Sequence, residues 1–264
     1  MTNKSKISAV ELTRDPLWIG DYALYQPKKG YRFTLDALLL GAVAPLFAGA
    51  SLLELGCGSG VLPLIFLGRE PQLRITGIES MDQAFDLAEM NMISNGVAGK
   101  VRLIHGDAMR AAELLPSHSQ DIIVTNPPYY HAGCCRIPKD PDVAAAKTEL
   151  YWSPAVMMRQ AAMLLRQKGI LCMVMDMRRK SEMLHWAAEA GLYLQHCADV
   201  FMTVEDKLAH RVLLTFSDTE KEPELTSLRI YEKTGEMTPE AKRIFGIYHG
   251  TGTVPCGDAH WESR

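Results

Sequence analysis

The stretch Ser51-Leu-Leu-Glu-Leu-Gly-Cys-Gly-Ser-Gly60 runs from an apolar segment into a turn that contains three glycines. Residues 51–55 have the apolar character of a buried strand, and a helical pattern follows the turn to about Gly68. Glycine permits a tight turn and lets a ligand approach the backbone closely. This order of strand, turn and helix predicts the first unit of an α/β fold, with a ligand at the turn.

The spacing of the glycines distinguishes between kinds of ligand. It is GxGxG, and Val61 stands where a dinucleotide-binding fingerprint has its third glycine. Glu54, two positions before the first glycine, would repel a pyrophosphate but suits a ligand that carries an ammonium group. The pattern therefore favours a cationic small molecule over NAD. A glycine-rich turn without any ligand is the alternative.

Two more acidic residues follow predicted strands. Residues 74–79 form the second predicted strand, and a carboxylate at its tip, Glu79, can accept hydrogen bonds from both hydroxyls of a ribose. Residues 101–105 form the third, and Asp107 after it could accept from the amino group of an adenine. Each acid alone is more often a helix cap. In series at successive strand ends, with the glycine turn, they indicate a nucleoside-containing ligand.

The stretch Asp121-Ile-Ile-Val-Thr-Asn-Pro-Pro-Tyr129 predicts a short buried strand that stops abruptly. Its two prolines fix φ and restrict the residue before each, which makes the loop stiff. The loop presents the amide of Asn126, the carbonyl of Pro127 and the ring of Tyr129. The first two can accept both hydrogens of a planar NH2 group, and the ring can stack on the group that carries it. A rigid turn without chemistry is the alternative.

The segment before this region contains a possible second contact. Residues 15–33 alternate as a hairpin that turns near residues 27–30, and Thr34 is a plausible N-cap of an apolar helix. Asp36 is the one acid of that helix, and a buried carboxylate needs a partner. We therefore regard Phe33, Thr34 and Asp36 as possible cofactor or substrate contacts. An acid in the first turn, favoured by the helix dipole, is the alternative.

The composition limits the class of protein. Hydrophobic residues make up 47% of the 264 residues, which is enough for a large core. No run approaches the ~20 apolar residues of a membrane span, and the first residues lack the apolar core of a signal peptide. Six cysteines without a CxxC pair favour free thiols in a reducing compartment, so we expect a cytoplasmic protein.

The net charge of −3 excludes a broadly basic surface, so a nucleic-acid partner would need a local basic patch. Residues 130–147 are polar and fit a substrate-facing lid. His131, Cys134 and Cys135 within it are a poor set of zinc ligands, so we expect no metal. We expect a monomer or a weak dimer. We assign to the basic patch Arg136, Lys139, Arg178, Arg179 and Lys180, of which the last three also fit a solvated helix start.

Alternating strand and helix patterns predict a Rossmann-like, doubly wound parallel sheet of seven strands. The last two strands have no helix between them, so the final strand should run antiparallel. The glycine turn follows the first strand and Asn126 follows the fourth, which places both at the switch point where such sheets bind ligands. The chain then divides into a hairpin and helix at 1–50, a core at 51–217 and a C-terminal extension at 218–264.

Residues 34–217 resemble the class I S-adenosylmethionine-dependent methyltransferases. The glycine turn with its preceding acid matches their first motif, and the later acids match their ribose and adenine contacts. Asn126-Pro-Pro-Tyr129 resembles the signature of amino methyltransferases, which implies catalytic roles for Asn126, Pro127 and Tyr129. The resemblance implies S-adenosylmethionine as the cofactor, bound by Glu54, Gly56, Cys57, Gly58, Gly60, Glu79, Ser80, Asp107, Ala108 and Asn126.

Two further stretches, 26–40 and 228–240, resemble the bacterial tRNA adenine N6-methyltransferases that modify the adenine beside the anticodon of a valine tRNA. This resemblance implies a tRNA partner and N6-methylation of an unpaired adenine. Protein glutamine N5-methyltransferases share the NPPY motif but carry a helical recognition domain that the first 50 residues do not match. A catalytically inactive, RNA-binding methyltransferase-like module is the non-enzymatic alternative.

Overall fold

The computed structural model describes residues 11–17, 19–30, 32–127 and 152–246, and most of its strands form one mixed sheet. The strands of this sheet are β3 (Ser51–Leu55), β4 (Arg74–Glu79), β5 (Val101–His105), β6 (Gln120–Thr125), β7 (Leu165–Asp176), β8 (Tyr193–Thr203), β9 (Arg211–Ser217) and β10 (Glu224–Tyr231). The hairpin consists of β1 (Leu12–Pro16) and β2 (Ala23–Pro27). The helices are α1 (Leu35–Val43), α2 (Val61–Arg69), α3 (Asp82–Ser94), α4 (Ala111–Leu114), α5 (Pro154–Leu164), α6 (Lys180–Glu189) and α7 (Pro239–Phe245).

The strand order of the sheet is β10-β8-β9-β7-β6-β3-β4-β5. From β3 the chain first builds outward through β4 and β5, and then crosses to the other side of β3 to form β6 and β7. Strands β3 and β6 are parallel neighbours, so their carboxyl ends lie side by side. This confirms the predicted switch point between the glycine turn and Asn126.

The predicted α/β class is confirmed, and all seven predicted strands lie in the sheet. Strand β9 runs antiparallel to both β7 and β8, as the missing helix between the last two strands predicts. The structure has one strand more than the sequence pattern indicates, because β10 pairs in parallel with β8 at the edge. The division at residues 50 and 217 stays a prediction.

The hairpin exists, but its turn lies earlier than predicted. The chain reverses between β1 and β2, where Gly20 and Asp21 have φ values of 60° and 56°. Left-handed backbone of this kind closes tight turns. The predicted turn region, residues 27–30, instead begins with the last residue of β2 and leads toward α1.

Two buried apolar layers cover the two faces of the sheet. One contains side chains from α1, α2, α3 and α7, including Leu39, Phe66 and Met92. The other contains side chains from α5 and α6, including Met157 and Met183. Within the described residues, no helix is long and apolar enough to cross a membrane.

The segment after residue 217 packs into this core. Ile230 of β10 and Phe245 of α7 are 0% and 1% exposed. Arg229 donates hydrogen bonds to three backbone carbonyls at and after the end of β8, each at 3.2 Å, and its guanidinium lies 4.2 Å from the ring centre of Phe201. Thr238 caps α7 by accepting from the amide of Ala241 at 3.1 Å. Residues 224–245 therefore contribute to the stability of the sheet.

We predict that Phe245→Ala lowers the free energy of unfolding by about 3–5 kcal/mol, because it leaves a cavity in the core. The exposed Phe47 is the matched control, and Phe47→Ala should cost less than about 1 kcal/mol. Urea denaturation of both variants measures the difference. Equal and small losses would mean that the C-terminal helix adds nothing to the core.

Candidate active site

The glycine turn and the loop that begins at Asn126 are joined by a buried hydrogen bond. The hydroxyl of Thr125, at the end of β6, donates to the carbonyl oxygen of Leu55 at 3.0 Å. Leu55 is the last residue of β3, and the glycine turn begins immediately after it. Thr125 therefore fixes the start of the Asn126 loop against the start of the turn. Asn126 is half-buried and Pro127 is buried, whereas Pro128 and Tyr129 lie outside the described residues.

The backbone of the glycine turn leaves open space on one side. Gly56 and Gly58 have φ values of 78° and 52°, in the left-handed region that favours glycine. A Cβ atom added to either would meet no atom of the described residues within 4 Å. A Cβ on Gly60 would instead lie 2.8 Å from the methyl carbon of Met92 on α3. The first two glycines thus border space that a ligand can enter, and the third allows close packing.

Glu79 joins the glycine turn to the end of β4. One carboxylate oxygen accepts from the amide of Gly58 at 2.8 Å, and the other accepts from the amides of Ser80 and Met81 at 2.9 Å. The predicted ribose acid therefore also organises the loop beside the proposed ligand. A carboxylate has about four lone-pair sites, so Glu79 keeps capacity to accept from a ligand hydroxyl.

Glu54 is a buried acid with an unsatisfied oxygen. Its side chain is 2% exposed, and within the described residues its Oε2 atom has no hydrogen-bond partner. Burial raises the pKa of this carboxyl well above its usual range, and the negative charge of Glu79 raises it further. An unpaired buried carboxyl destabilises the folded chain. A ligand with a positively charged group would supply the missing donor, so the site fits the predicted cationic ligand.

Cys57, inside the glycine turn, is a buried and unreactive thiol. Burial raises its pKa well above the usual range, and the charges of Glu54 and Glu79 raise it further. A Cβ on Gly77 of β4 would lie 2.9 Å from its sulfur. Gly77 is the register partner of Glu54. The small residue at position 77 therefore makes room for Cys57 beneath the turn.

Asp107 acts as a cap in the structure. Its Oδ1 atom accepts from the amide of Met109 at 2.8 Å, at the start of a short 3-10 helix that contains Ala108. The loop lies beside the ribose acid, because the amide of Gly106 donates to the carbonyl of Glu79 at 2.9 Å. The structure thus places the predicted adenine acid at the same edge of the sheet. Its role toward a ligand stays a prediction.

Asp36 has a partner that the sequence pattern did not indicate. It is 5% exposed and accepts from Nε of Arg211 at 3.1 Å and from the hydroxyl of Thr34 at 3.3 Å. Phe33 packs partly against the core, and its amide donates to the side chain of Gln26 at 3.3 Å. Contacts within the protein therefore account for the burial of Asp36. The proposed contacts of these three residues with a ligand stay predictions.

The predicted basic patch is not assembled as expected. Arg179 is 3% exposed, binds Glu182 through Nε and Nη2 at 2.9 and 2.8 Å, and lies over the ring of Trp152. It belongs to the interior, because the 3-10 turn before α6 directs it inward. Arg178 is exposed but bonded to Asp176, and Lys180 binds an acid of β8 at 2.8 Å. The prediction was wrong for Arg179, and Arg136 and Lys139 lie outside the described residues.

Burial raises the pKa of Asp176, but its hydrogen bonds from Arg178 and the charges of Arg178 and Arg211 outweigh this effect. The pKa of Asp176 therefore lies below its usual value, so this carboxylate is ionised and pairs with Arg178 and Arg211.

Within the part of the chain that the structure describes, no three His, Cys, Asp or Glu side chains are grouped to hold a metal ion. The segment with His131, Cys134 and Cys135 lies outside it.

One residue of the site was missed. Asn91 of α3 is 0% exposed and donates from Nδ2 to the carbonyl of Ser59, inside the glycine turn, at 2.9 Å. A signal for it was present in the sequence. Leu87, Ala88 and Met92 have the spacing of an apolar helical face, and Asn91 is a polar residue within that face. A polar side chain at such a position needs hydrogen-bond partners.

Two curated relatives share most of their length with the chain. Both are named tRNA1(Val) (adenine(37)-N6)-methyltransferase, come from Yersinia enterocolitica and Yersinia pseudotuberculosis, and are 29% identical to the chain. The first match covers 78% of this chain and 80% of the relative. The second covers 81% of this chain and 85% of the relative.

Solved structures of methyltransferases share the fold. A predicted O-methyltransferase, Atu636 from Agrobacterium tumefaciens, matches with a TM-score of 0.62 and 16% identity, over 81% of this chain and 96% of that one. A geranyl diphosphate methyltransferase in complex with S-adenosylmethionine matches with a TM-score of 0.51 and 13% identity, over 70% and 84%. Residues 36–190 match the family model described as the methyltransferase small domain. Because that match covers more than half of its length, the chain belongs to the methyltransferase small domain family.

Proposed function

We propose that this S-adenosylmethionine-dependent methyltransferase transfers a methyl group to N6 of an unpaired adenine in tRNA, in the cytoplasm. The observation that carries the proposal is the position of two features at neighbouring strand ends. The open glycine turn with the unsatisfied acid Glu54 follows β3, and Asn126-Pro127 follows β6. The names of the curated relatives support the anticodon-loop adenine of a valine tRNA as the target.

The cofactor would lie along the edge formed by the first three parallel strands of the core. Its ammonium group would meet the unsatisfied oxygen of Glu54, and its ribose would meet Glu79 beside Ser80. Its adenine would lie near Asp107 and Ala108. When bound, S-adenosylmethionine supplies an electrophilic methyl group on a sulfonium. The complex of the geranyl diphosphate methyltransferase with this molecule supports the choice of cofactor for this fold.

Asn126 and Pro127 would orient the target nitrogen. An exocyclic adenine nitrogen is a weak nucleophile, because its lone pair is delocalised into the ring. If Oδ1 of Asn126 and the carbonyl of Pro127 accept its two hydrogens, its lone pair points at the methyl carbon. The bound cofactor would supply the methyl group while these two acceptors hold the nitrogen. S-adenosylhomocysteine would then leave, and the surplus proton would go to water. Catalysis then rests on positioning and on preorganised dipoles.

An unpaired RNA loop suits this site better than a duplex. The target base must leave its stack, which costs a few kcal/mol in a duplex and least in a single strand. Stacking on one aromatic ring, the proposed role of Tyr129, returns about 1–3 kcal/mol. The net charge of −3 limits how much a long-range attraction to phosphates can add. An anticodon-loop adenine is therefore the favoured substrate.

The proposal is tested by offering two acceptors to the purified protein with labelled S-adenosylmethionine. One is tRNA transcribed without modifications, and the other is a peptide with a Gly-Gly-Gln sequence, the acceptor type of glutamine N5-methyltransferases. We expect N6-methyladenosine in digested tRNA by mass spectrometry and no label in the peptide. Label in the peptide with none in tRNA would replace the adenine assignment. Label in neither, with cofactor binding intact, would support the inactive module.

We predict that Asn126→Ala lowers kcat about 100-fold or more, because it removes one preorganised acceptor at the reacting nitrogen. Binding of cofactor and of tRNA should change little, since the glycine turn and the proposed stacking residue remain. Single-turnover kinetics and calorimetry measure these quantities separately. Tyr129→Phe is the matched control in the same motif and should keep most activity. Full activity in Asn126→Ala would remove the residue from the mechanism.

We predict that the affinity for S-adenosylhomocysteine, which keeps the ammonium group, rises as the pH increases through the raised pKa of Glu54. Burial raises the pKa of Glu54, and a cation that pairs with the carboxylate favours its ionised form, so binding should release a proton. Glu54→Gln should weaken binding and flatten this dependence. Calorimetry in buffers with different ionisation enthalpies measures the released proton. A pH-independent affinity in the unmodified protein would contradict the pairing.

The raised pKa of Glu54 also predicts that its contribution to the stability of the empty protein falls as the pH rises. A carboxyl whose pKa is raised in the folded state stabilises the fold below its unfolded value, near 4.5, and loses that contribution as the pH rises. Glu54→Gln removes this loss, so at neutral pH the empty variant should melt at a higher temperature than the unmodified protein. Asp121→Asn, a paired acid with a lowered pKa, is the control and should melt lower.

A further inference from the structure

The hairpin binds to α3 through two asparagines that lie one helical turn apart. Asn91 accepts from the amide of Tyr25 at 2.7 Å and donates to its carbonyl at 2.9 Å. Asn95 accepts from the amide of Ala23 at 2.9 Å and donates to its carbonyl at 2.8 Å. Ala23 and Tyr25 are alternate residues of β2, so the two amides replace a neighbouring strand. They hold one edge of the hairpin on the helix.

The second amide hydrogen distinguishes the two asparagines. That of Asn91 goes to the carbonyl of Ser59 in the glycine turn at 2.9 Å. That of Asn95 goes to the backbone carbonyl of Asn91, within the same helix, at 2.7 Å. Only Asn91 of this pair therefore connects the hairpin to the turn.

The Asn91 contact completes the anchoring of the turn. Ser59 lies between Gly58, whose amide donates to Glu79, and Gly60, which packs on α3. With Asn91 holding the carbonyl of Ser59, the Cys57–Gly58 and Ser59–Gly60 peptide groups are both fixed from outside the turn. Left-handed glycines have many accessible conformations, so such anchors decide which one is populated.

The hairpin also determines which way the Asn91 amide faces. The amide hydrogen of Tyr25 requires an acceptor, so the oxygen of Asn91 must face β2. The nitrogen then faces both carbonyls, that of Tyr25 and that of Ser59. A flipped amide would bring two donors together at Tyr25 and two acceptors together at Ser59, and at full burial this is costly.

From these contacts we infer that Asn91 is a positioning residue for cofactor binding, and that the hairpin holds it in the orientation that the turn requires. This inference rests on the proposed position of the cofactor at the glycine turn. The hairpin is then a structural part of the proposed cofactor site.

The test compares Asn91→Asp with Asn95→Asp in the full chain. Each change replaces a donating NH2 group by an oxygen that faces carbonyls. Each also weakens one of the two contacts between these side chains and β2. We expect S-adenosylhomocysteine to bind about tenfold or more weakly to Asn91→Asp, the scale of a lost hydrogen bond plus repulsion. The loss in Asn95→Asp should be below about threefold. The KM for S-adenosylmethionine should rise in Asn91→Asp while the KM for tRNA stays unchanged.

Equal losses of affinity in the two variants would overturn the inference, because a purely structural role for the asparagines affects both. Unchanged affinity in Asn91→Asp would overturn it as well. If either Asp variant does not fold, Asn91→Ser and Asn95→Ser decide by the same comparison. An unmodified protein that does not bind S-adenosylhomocysteine would refute the proposed function, which separates that failure from a failure of Asn91.

Discussion

The site depends on two buried carboxyls, Glu54 and Glu79, at the ends of neighbouring strands. Burial disfavours the charged form of Glu54, and the neighbouring charge of Glu79 disfavours it further. The two carboxyls differ in the donors that they receive from the protein. Glu79 receives three backbone amides and organises the loop, whereas Glu54 has an unsatisfied oxygen and a raised pKa. Within the described residues Glu54 therefore lacks one donor, which the proposed cationic ligand would supply.

The parallel pairing of β3 with β6 places these two carboxyls at the same edge of the sheet as the loop that begins at Asn126. Strands β3 and β6 are neighbours although helices and two strands separate them in the chain, and Thr125 joins their carboxyl ends directly. A cofactor over the first loop and an acceptor nitrogen over the second would therefore meet without a large movement. In the proposed mechanism, the backbone and short side chains would position the reactants. That is the kind of catalysis that an amide and a carbonyl can perform.

Local signals made much of this predictable. The GxGxG turn, the acids at strand ends and Asn126 before two prolines each require only a few consecutive residues. The features that the sequence patterns did not indicate depend on contacts between residues far apart in the chain. The partner of Asp36 is Arg211, far along the chain, and no spacing rule connects them. Arg179 resembles its exposed neighbour Arg178 in sequence, and its burial follows from the 3-10 turn and from Trp152. Strand β10 is polar over its first half, so its pairing with β8 was not visible.

The hairpin changes how the N-terminal segment is understood. The sequence pattern indicates a separate segment before the core. In the structure, however, its backbone is hydrogen-bonded to asparagines of the helical segment that supports the glycine turn. If Asn91 carries that connection, linkage requires reciprocity. A ligand that tightens the turn must then stabilise the hairpin by the same free energy by which the hairpin favours the ligand. Hydrogen exchange at the amides of Ala23 and Tyr25 would therefore slow when S-adenosylhomocysteine binds, although neither residue touches it.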